Sequence, residues 1–252
     1  MDRLSGKTAV ITGGGQGIGE GITQAMLNAG ANLLIAQRSP LPETFENQAG
    51  VHWVAADLSD PDSFTAIAES AKQILGRVDI LVNNAGIMFE KSLGDMQIEE
   101  WNRMLSVNLT APVFLSKALL PLLNENGSSI INIGSIEGLA SNPEHAAYCA
   151  SKGAVHALTR AMAVDLGKDK IRVNAIAPGW IRSDLSDLYI NAQEDPDAAW
   201  EGLYKMHPAG RVGEPLDVGN LAVFLGSDDS AFITGQVMVI DGGRTAKLPL
   251  PF

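Results

Sequence analysis

The 252-residue chain is poor in the residues that build disulfides, metal sites and membrane spans. It has one cysteine, Cys149, so no disulfide can form within the chain and a metal site built from cysteines is not expected. Its four histidines show no metal-ligand spacing, and we predict no metal. No apolar run reaches ~18 residues, and the first residues do not resemble a signal peptide. We therefore expect no membrane span and a cytoplasmic location.

Basic residues are also scarce. The chain has 18 Lys and Arg residues and 29 Asp and Glu residues, which gives a formal net charge of −11 and a pI near 4.7. A negative surface repels phosphate backbones and anionic lipid headgroups, so we expect neither nucleic acid nor membrane as a partner. A small-molecule substrate remains the expected partner.

Short β-branched runs alternate along the chain with stretches of helical apolar spacing. The predicted strands are Thr8–Ile11, Asn32–Ala36, Val51–Ala55, Ile80–Val82, Ser129–Ile133, Arg172–Ala175 and Val237–Ile240. The predicted helices are Ile18–Asn28, Asp62–Leu75, Ile98–Leu123 with a break near Asn108–Pro112, Ala147–Leu166 and Pro215–Leu225. This alternation predicts an α/β fold: a doubly wound parallel sheet in a three-layer α/β/α sandwich, Rossmann-like and a single domain over 1–252. The stretch from Ser183 to Glu214 lacks strong periodicity, and we predict a substrate lid at about 183–214.

A glycine cluster joins the first strand to the first helix. Gly13 permits a tight turn, Gly17 lets a diphosphate approach the backbone, and Gly19 lets the helix sit close to the sheet. A flexible turn is the alternative, but the order strand, glycines, helix is the context of a dinucleotide site.

Tyr148 and Lys152 stand four residues apart in a predicted helix, so they share one helix face. An ammonium at that distance favours the phenolate, and we expect it to lower the Tyr148 pKa. Such a tyrosine can exchange a proton with an alcohol or carbonyl oxygen. The spacing alone also fits an unrelated surface pair. Ser135 follows the apolar fifth strand, and Asn108 is a polar residue inside a helical pattern.

These residues together resemble the short-chain dehydrogenase/reductase family over nearly the whole chain. Thr12–Gly19 matches its TGxxxGxG loop, and Tyr148–Lys152 matches its YxASK signature. The resemblance implies a catalytic tetrad of Asn108, Ser135, Tyr148 and Lys152. It implies that the cofactor is held by Gly13, Gln16, Gly17, Ile18, Gly19, Gln37, Arg38, Ser39, Asp57, Leu58, Asn84, Ala85, Gly86, Tyr148, Lys152, Pro178, Gly179, Ile181 and Ser183. Ser183 stands where the family usually has threonine and keeps the hydroxyl.

The implied activity is hydride transfer between a secondary alcohol or ketone and NAD(P). Tyr148 would act as general acid/base, Lys152 would lower its pKa and bind the nicotinamide ribose, Ser135 would hold the reacting oxygen, and Asn108 would support a water leading protons to Lys152. Glu137, His145 and Trp180 are predicted to line the substrate pocket together with Ser135 and Tyr148. A solvated loop is an equally good interpretation for Glu137 and His145.

The end of the second strand favours NADP over NAD. Gln37 occupies the family's usual acidic position, and Arg38 and Ser39 could bind a 2′-phosphate. Alternatively, Arg38 points to solvent or stacks on adenine. Ser129 and Asp169 replace the arginines by which acyl-carrier-protein reductases of the family hold their carrier, so we do not expect a carrier-protein substrate.

The expected substrate is a sugar, a sugar acid or another small hydroxylated or cyclic compound. By resemblance we expect a homotetramer, with a dimer as alternative; Ala150, Ala154, Ala157 and Ala161 would allow close helix approach, and the tail Lys247–Phe252 would pack on a neighbouring subunit. Two other functions stay open: a non-catalytic nucleotide-binding regulator on the same fold, and another Rossmann-type enzyme such as a methyltransferase. The complete tetrad argues against the first, and the glycine loop with Y-x-x-x-K argues against the second.

Overall fold

The computed structural model describes residues 2–123 and 126–248, apart from the side chain of Leu185. Its centre is one sheet of seven parallel strands in the order β3-β2-β1-β4-β5-β6-β7. The strands are β1 Thr8–Thr12, β2 Asn32–Gln37, β3 Val51–Ala55, β4 Ile80–Asn83, β5 Ser128–Ile133, β6 Ile171–Pro178 and β7 Val237–Ile240. All seven predicted strands are present, and the three-layer, doubly wound fold is confirmed.

Helices cover both faces of the sheet. They are α1 Gly17–Asn28, α2 Glu43–Glu46, α3 Asp62–Ile74, α4 Ile98–Leu105, α5 Ala111–Leu119, α6 Ala146–Leu166, α7 Asp184–Asn191, α8 Pro196–Met206 and α9 Pro215–Gly226. One core packs α1 and α9 against the sheet through residues such as Ile22 and Val218. The other packs α3, α5 and α6 through residues such as Phe64, Leu115 and Ala163. Because both faces are covered, the central strands are apolar along their whole length.

The predicted break in the third helix is present at its predicted place. A π-helix, Ser106–Thr110, separates α4 from α5, and Pro112, which has no amide hydrogen to donate, lies directly after it in the first turn of α5. The run Ile98–Leu122 is long and apolar enough to cross a membrane by length and composition. Its apolar character has a simpler cause, because Ala111, Leu115 and Leu119 are buried in the second core.

The segment 183–214, which shows no strong periodicity in the sequence, is largely helical. It contains α7 and α8, which begin at good caps: the Ser183 hydroxyl accepts the Ser186 amide, and the Asp195 carboxylate accepts the Ala198 amide. A small apolar cluster of its own, built on Ile190, Leu203 and Val212, holds the two helices together. The tail prediction falls mainly on residues 249–252, which lie outside the described residues.

Helices α1 and α9 pack in backbone contact through two glycines. A Cβ on Gly21 would collide with Pro215, and a Cβ on Gly219 would collide with the Gly21 carbonyl oxygen. Because neither position tolerates a side chain without movement, the helix that follows the glycine turn is held tightly against α9.

Candidate active site

The glycine turn lies at the carboxyl end of β1, where the strand order reverses between β1 and β4. Gly13 and Gly17 have φ values of +64° and +53°, which favour glycine. The first amides of α1 have no acceptor within the helix, and the Gln16 side chain does not cap them. A Cβ on Gly19 would collide with the Gly13 carbonyl oxygen. This backbone cradle fits a diphosphate, as a dinucleotide requires.

The segment after β4 is bonded to the same turn. The Thr12 hydroxyl accepts the amides of Asn84 and Ala85, each at 3.0 Å, and the Asn84 side-chain amide donates to the carbonyl oxygens of Thr12 and Gly13. Asn83 instead donates to Asn132 on β5 at 2.9 Å. The predicted cofactor residues of β1 and β4 are therefore brought together, and Asn83 joins neighbouring strands.

Asn108 lies in the π-helix, buried, with its side chain directed at the loop after β4. Its Oδ1 accepts the Ile87 amide at 2.8 Å, and its Nδ2 donates to the Ile87 carbonyl oxygen at 2.9 Å and to the Ser151 hydroxyl at 3.1 Å. A Cβ on Gly86 would lie 3.3 Å from Asn108 Oδ1 and 3.6 Å from Lys152 Nζ. Gly86 therefore keeps open the space between these two polar groups.

Lys152 is buried, and its ammonium faces the end of β5. Nζ donates to the Ile133 carbonyl oxygen at 2.8 Å and lies 5.6 Å from the centre of the Tyr148 ring. Burial lowers the pKa of Lys152 to about 8, because a charged ammonium is poorly solvated in this position. The spacing of four residues does place both side chains on one face of α6.

The Tyr148 pKa differs from the expectation, which was wrong in direction. Burial raises the pKa of Tyr148 to about 12; the hydrogen bond from Ser135 lowers it and the charge of Glu137 raises it. The physical reason is that burial disfavours the charged phenolate by more than the hydrogen bond from Ser135 favours it. Ser135 therefore lies close enough to Tyr148 to influence the pKa of its hydroxyl.

Glu137 and His145 form a pair beside Tyr148. Glu137 lies in a one-turn 3-10 helix, Ile136–Gly138, capped by Ser135, and its Oε2 lies 2.6 Å from His145 Nδ1. The His145 ring packs edge-on against the Tyr148 ring, with centroids 6.3 Å apart. Both residues are largely buried, 14% and 9% exposed in their side chains, so the alternative of a solvated loop does not hold.

On the adenosine side, Gln37 is bound within the protein. Its Oε1 accepts the Gly15 amide at 2.7 Å, and its Nε2 donates to the carbonyl oxygens of Ser39 and Pro40. Arg38 is exposed. The Asp57 carboxylate accepts the Ser59 amide and hydroxyl, which lower the Asp57 pKa. Leu58 is buried in the core.

The segment after β6 connects the sheet to α7. The Gly179 amide donates to the Ile240 carbonyl oxygen, and a Cβ on Gly17 would lie 3.7 Å from Ser183 Cβ, so Ser183 is close to the glycine turn. Trp180 packs into the cluster of α7 and α8, with its ring 6.1 Å from that of Tyr189. Trp180 therefore joins the sheet to this cluster, whether or not it also touches substrate.

Two residues near the site were missed at the level of sequence. Glu90 Oε1 lies 3.6 Å from His145 Nε2, on the other side of the ring from Glu137. His156 is buried one turn after Lys152, and neither of its ring nitrogens has a hydrogen-bond partner within the described residues. A Cβ on Gly134 or Gly138 would collide with the His156 ring. His156 stands four residues after Lys152 in a predicted helix, and that spacing indicates that both lie on the same helix face. Nothing in the sequence indicates the position of Glu90.

Comparison with known proteins identifies the family. Residues 13–245 match the family model described as enoyl-(acyl carrier protein) reductase. The chain belongs to the short-chain dehydrogenase/reductase family. Members use NAD(P), bind small-molecule substrates and are often oligomeric. As a member, the protein is an oxidoreductase.

Relatives of this dehydrogenase match it end to end. An uncharacterized oxidoreductase of Thermotoga maritima is 39% identical, covering 97% of this chain and 98% of its own. The NADP-dependent (R)-specific alcohol dehydrogenase of Lentilactobacillus kefiri is 38% identical, covering 98% and 99%. The ligand-free aldohexose dehydrogenase of Thermoplasma acidophilum superposes with a TM-score of 0.91 at 28% identity, covering 100% and 98%.

Proposed function

We propose that this protein interconverts a secondary alcohol and a ketone with NAD(P), and that Tyr148 transfers the proton. The observation that carries the proposal is the placement of Tyr148 beside buried Lys152, whose Nζ lies 5.6 Å from the centre of the Tyr148 ring, at the end of the sheet that bears the glycine turn. The enzyme would act on CH–OH groups. A sugar, sugar acid or another small hydroxylated or cyclic compound is the proposed substrate.

The proposed roles follow from the contacts. A bound nicotinamide supplies the group that accepts or donates the hydride. In reduction, Tyr148 donates its phenol proton to the carbonyl oxygen as that oxygen becomes an alcohol, while Ser135 orients the same oxygen by hydrogen bonding. In oxidation, Tyr148 first loses its phenol proton, and the phenolate then accepts the alcohol proton as the hydride leaves the same carbon. Lys152 and Asn108, which face the space beside Gly86, are proposed to carry the proton onward.

The proposed cofactor contacts rest on the same edge. The backbone of the glycine turn at Gly13, Gln16, Gly17, Ile18 and Gly19 would hold the diphosphate. Asn84, Ala85, Gly86, Pro178, Gly179, Ile181 and Ser183 would line the nicotinamide half, and Gln37, Arg38, Ser39, Asp57 and Leu58 the adenosine half. We propose a preference for NADP, supported by the lack of an acidic residue at position 37, by exposed Arg38 and by the NADP-dependent relative.

We further propose a homotetramer in the cytoplasm, with α7 and α8 forming the lid at about 183–214. Ala150, Ala157 and Ala161 are exposed on α6, as a closely packed helix pair needs, and Phe114 on α5 is 47% exposed. The mass of the protein in solution tests the assembly.

The activity is tested by the absorbance of NADPH or NADH during incubation with ketones, sugars and sugar acids. Tyr148→Phe should reduce turnover by about 10³-fold or more and leave NADPH binding, measured by fluorescence, nearly unchanged. Turnover by Tyr148→Phe at the wild-type rate would overturn the role of Tyr148. NADPH binding without turnover of any compound by the wild type would favour the non-catalytic regulator.

A further inference from the structure

The wall beside Tyr148 carries two carboxylates, of Glu137 and Glu90, on either side of the His145 ring. Glu137 Oε2 lies 2.6 Å from His145 Nδ1, and Glu90 Oε1 lies 3.6 Å from His145 Nε2. A second bond holds Glu137, because Asn142 Nδ2 donates to its Oε1 at 3.0 Å. Glu137 is therefore fixed in place, not a solvated surface group.

Glu137 lies beside the proposed reacting position, because the His145 ring that it contacts packs edge-on against the Tyr148 ring with centroids 6.3 Å apart. Ser135 caps the short helix that carries Glu137, and its hydroxyl accepts the Glu137 amide at 3.1 Å. The charge of Glu137 also raises the Tyr148 pKa. The nearby cations are engaged elsewhere: Lys152 bonds to Ile133, and Lys91 pairs with Glu100.

We infer that Glu137, positioned by His145, determines substrate charge in this enzyme: the site takes uncharged compounds that carry a hydroxyl beside the reacting carbon and rejects those that carry a carboxylate there. A carboxylate oxygen accepts a hydrogen bond from a substrate hydroxyl, and it repels a substrate carboxylate in a site with little water. The inference rests on the proposed alcohol–ketone activity. It narrows the substrate to polyols, sugars and hydroxyketones, and removes sugar acids.

The test compares paired substrates that differ only in this group: hydroxyacetone with pyruvate for reduction, and propane-1,2-diol with lactate for oxidation. The wild type should favour the uncharged member in kcat/KM by about tenfold or more. Glu137→Gln keeps the shape and can still accept from His145, and it should reduce that ratio by about tenfold. Glu144→Gln removes a charge from an exposed position of the same loop and should leave the ratio unchanged.

Cys149 provides a second measurement that needs no turnover. Its sulfur lies 3.5 Å from Glu137 Oε2, and it is the one cysteine of the chain. The quantity measured is the rate of alkylation of Cys149 by neutral iodoacetamide divided by the rate with anionic iodoacetate. This ratio should be higher in the wild type than in Glu137→Gln. The rate ratio cancels any change in the thiol pKa, because both reagents need the same thiolate.

The outcomes are separable. A wild type that prefers the carboxylate member, or a Glu137→Gln variant with unchanged ratios in both measurements, overturns the inference. Equal effects of Glu137→Gln and Glu144→Gln also overturn it, because the effect would then be one of general charge. Wild-type turnover by Tyr148→Phe would instead overturn the proposed function.

Discussion

Asn108 and Ile87 exchange two hydrogen bonds, at 2.8 and 2.9 Å, through the Asn108 side chain and the Ile87 backbone. The Asn108 side-chain amide thus bonds the Ile87 backbone in the way that a neighbouring strand would. The π-helix that displaces Asn108 from a regular helix is what directs it at the loop. The loop after β4, which lies between the glycine turn and Lys152, is held by this pair.

Asn108→Ala should destabilise the protein by about 1–3 kcal/mol, because it leaves the Ile87 amide and carbonyl, which are partly buried, without their partner. Urea denaturation measures the change in the free energy of unfolding. Asn102→Ala, at an exposed position of α4, should stay within about 0.5 kcal/mol. Equal effects at the two positions would contradict this account of Asn108.

The Tyr148 pKa sets the pH dependence of the two directions. With a pKa raised to about 12, the phenol is the resting form, so reduction should be constant near neutral pH and oxidation should increase with pH. Ser135 lowers that pKa and Glu137 raises it. Ser135→Ala should therefore shift the oxidation profile to higher pH, and Glu137→Gln should shift it to lower pH. Profiles of kcat/KM for oxidation measure both shifts, and shifts in the same direction would contradict the assignment.

Lys152→Met should stabilise the protein without ligand while removing activity. The folded-state pKa of Lys152, about 8, is below its ordinary 10.5, so the cost of burying the ammonium is fully present below pH 8. The cost declines as pH rises from 8 to 10.5. The gain should reach up to about 3 kcal/mol at pH 7, less the lost bond to Ile133, and should disappear near pH 10.5.

Chemical denaturation at pH 7 and pH 10 measures this difference. Lys168→Met, at an exposed position, is the matched control and should show no gain that depends on pH. A Lys152→Met variant less stable than the wild type by the same amount at both pH values would show that the ammonium carries no burial cost.

The Gly134 position should be coupled to His156. Gly134→Ala places a methyl group against the His156 ring and should cost about 1–3 kcal/mol. In the double variant with His156→Ala the methyl group has room, so the combined loss should be smaller than the sum of the single losses by ~1 kcal/mol or more. Unfolding free energies of the four proteins measure the coupling. Strict additivity would show that the ring moves away at no cost.

Arg38→Asp should move the cofactor preference towards NADH, because a carboxylate repels the 2′-phosphate and accepts from a ribose hydroxyl. The ratio of kcat/KM for NADPH and NADH should fall by about tenfold or more. Arg3→Asp, remote from the glycine turn and exposed, is the control. An unchanged ratio in Arg38→Asp would remove Arg38 from the discrimination.

The sequence predicted much of the fold because its signals are local. The seven strands are short apolar runs, and the turn at Gly13–Gly19 follows a strand directly, so both can be identified without knowing what packs against them. The positions of Tyr148 and Lys152 follow from helical spacing. In contrast, the Tyr148 pKa depends on burial, which spacing does not reveal.

The unpredicted part of the site depends on contacts between distant segments. Glu90 meets His145 only because the loop after β4 and the loop before α6 lie side by side, where the Lys91 amide bonds to the Glu144 carbonyl oxygen. Likewise, Gln37 bonds to the Gly15 amide only because the end of β2 lies beside the glycine turn that follows β1. Ser183 and Asp195 cap α7 and α8, but the apolar cluster that holds these helices together forms only in the folded chain.

The glycine contact between α1 and α9 has a mechanical consequence. Gly21 and Gly219 bring the two backbones together without intervening side chains. Because no flexible side chains lie between the helices, α1 cannot easily shift along α9. We therefore expect the half of the protein proposed to bind the dinucleotide to keep its shape when ligands bind. Helices α7 and α8, in contrast, rest on a small apolar core of their own.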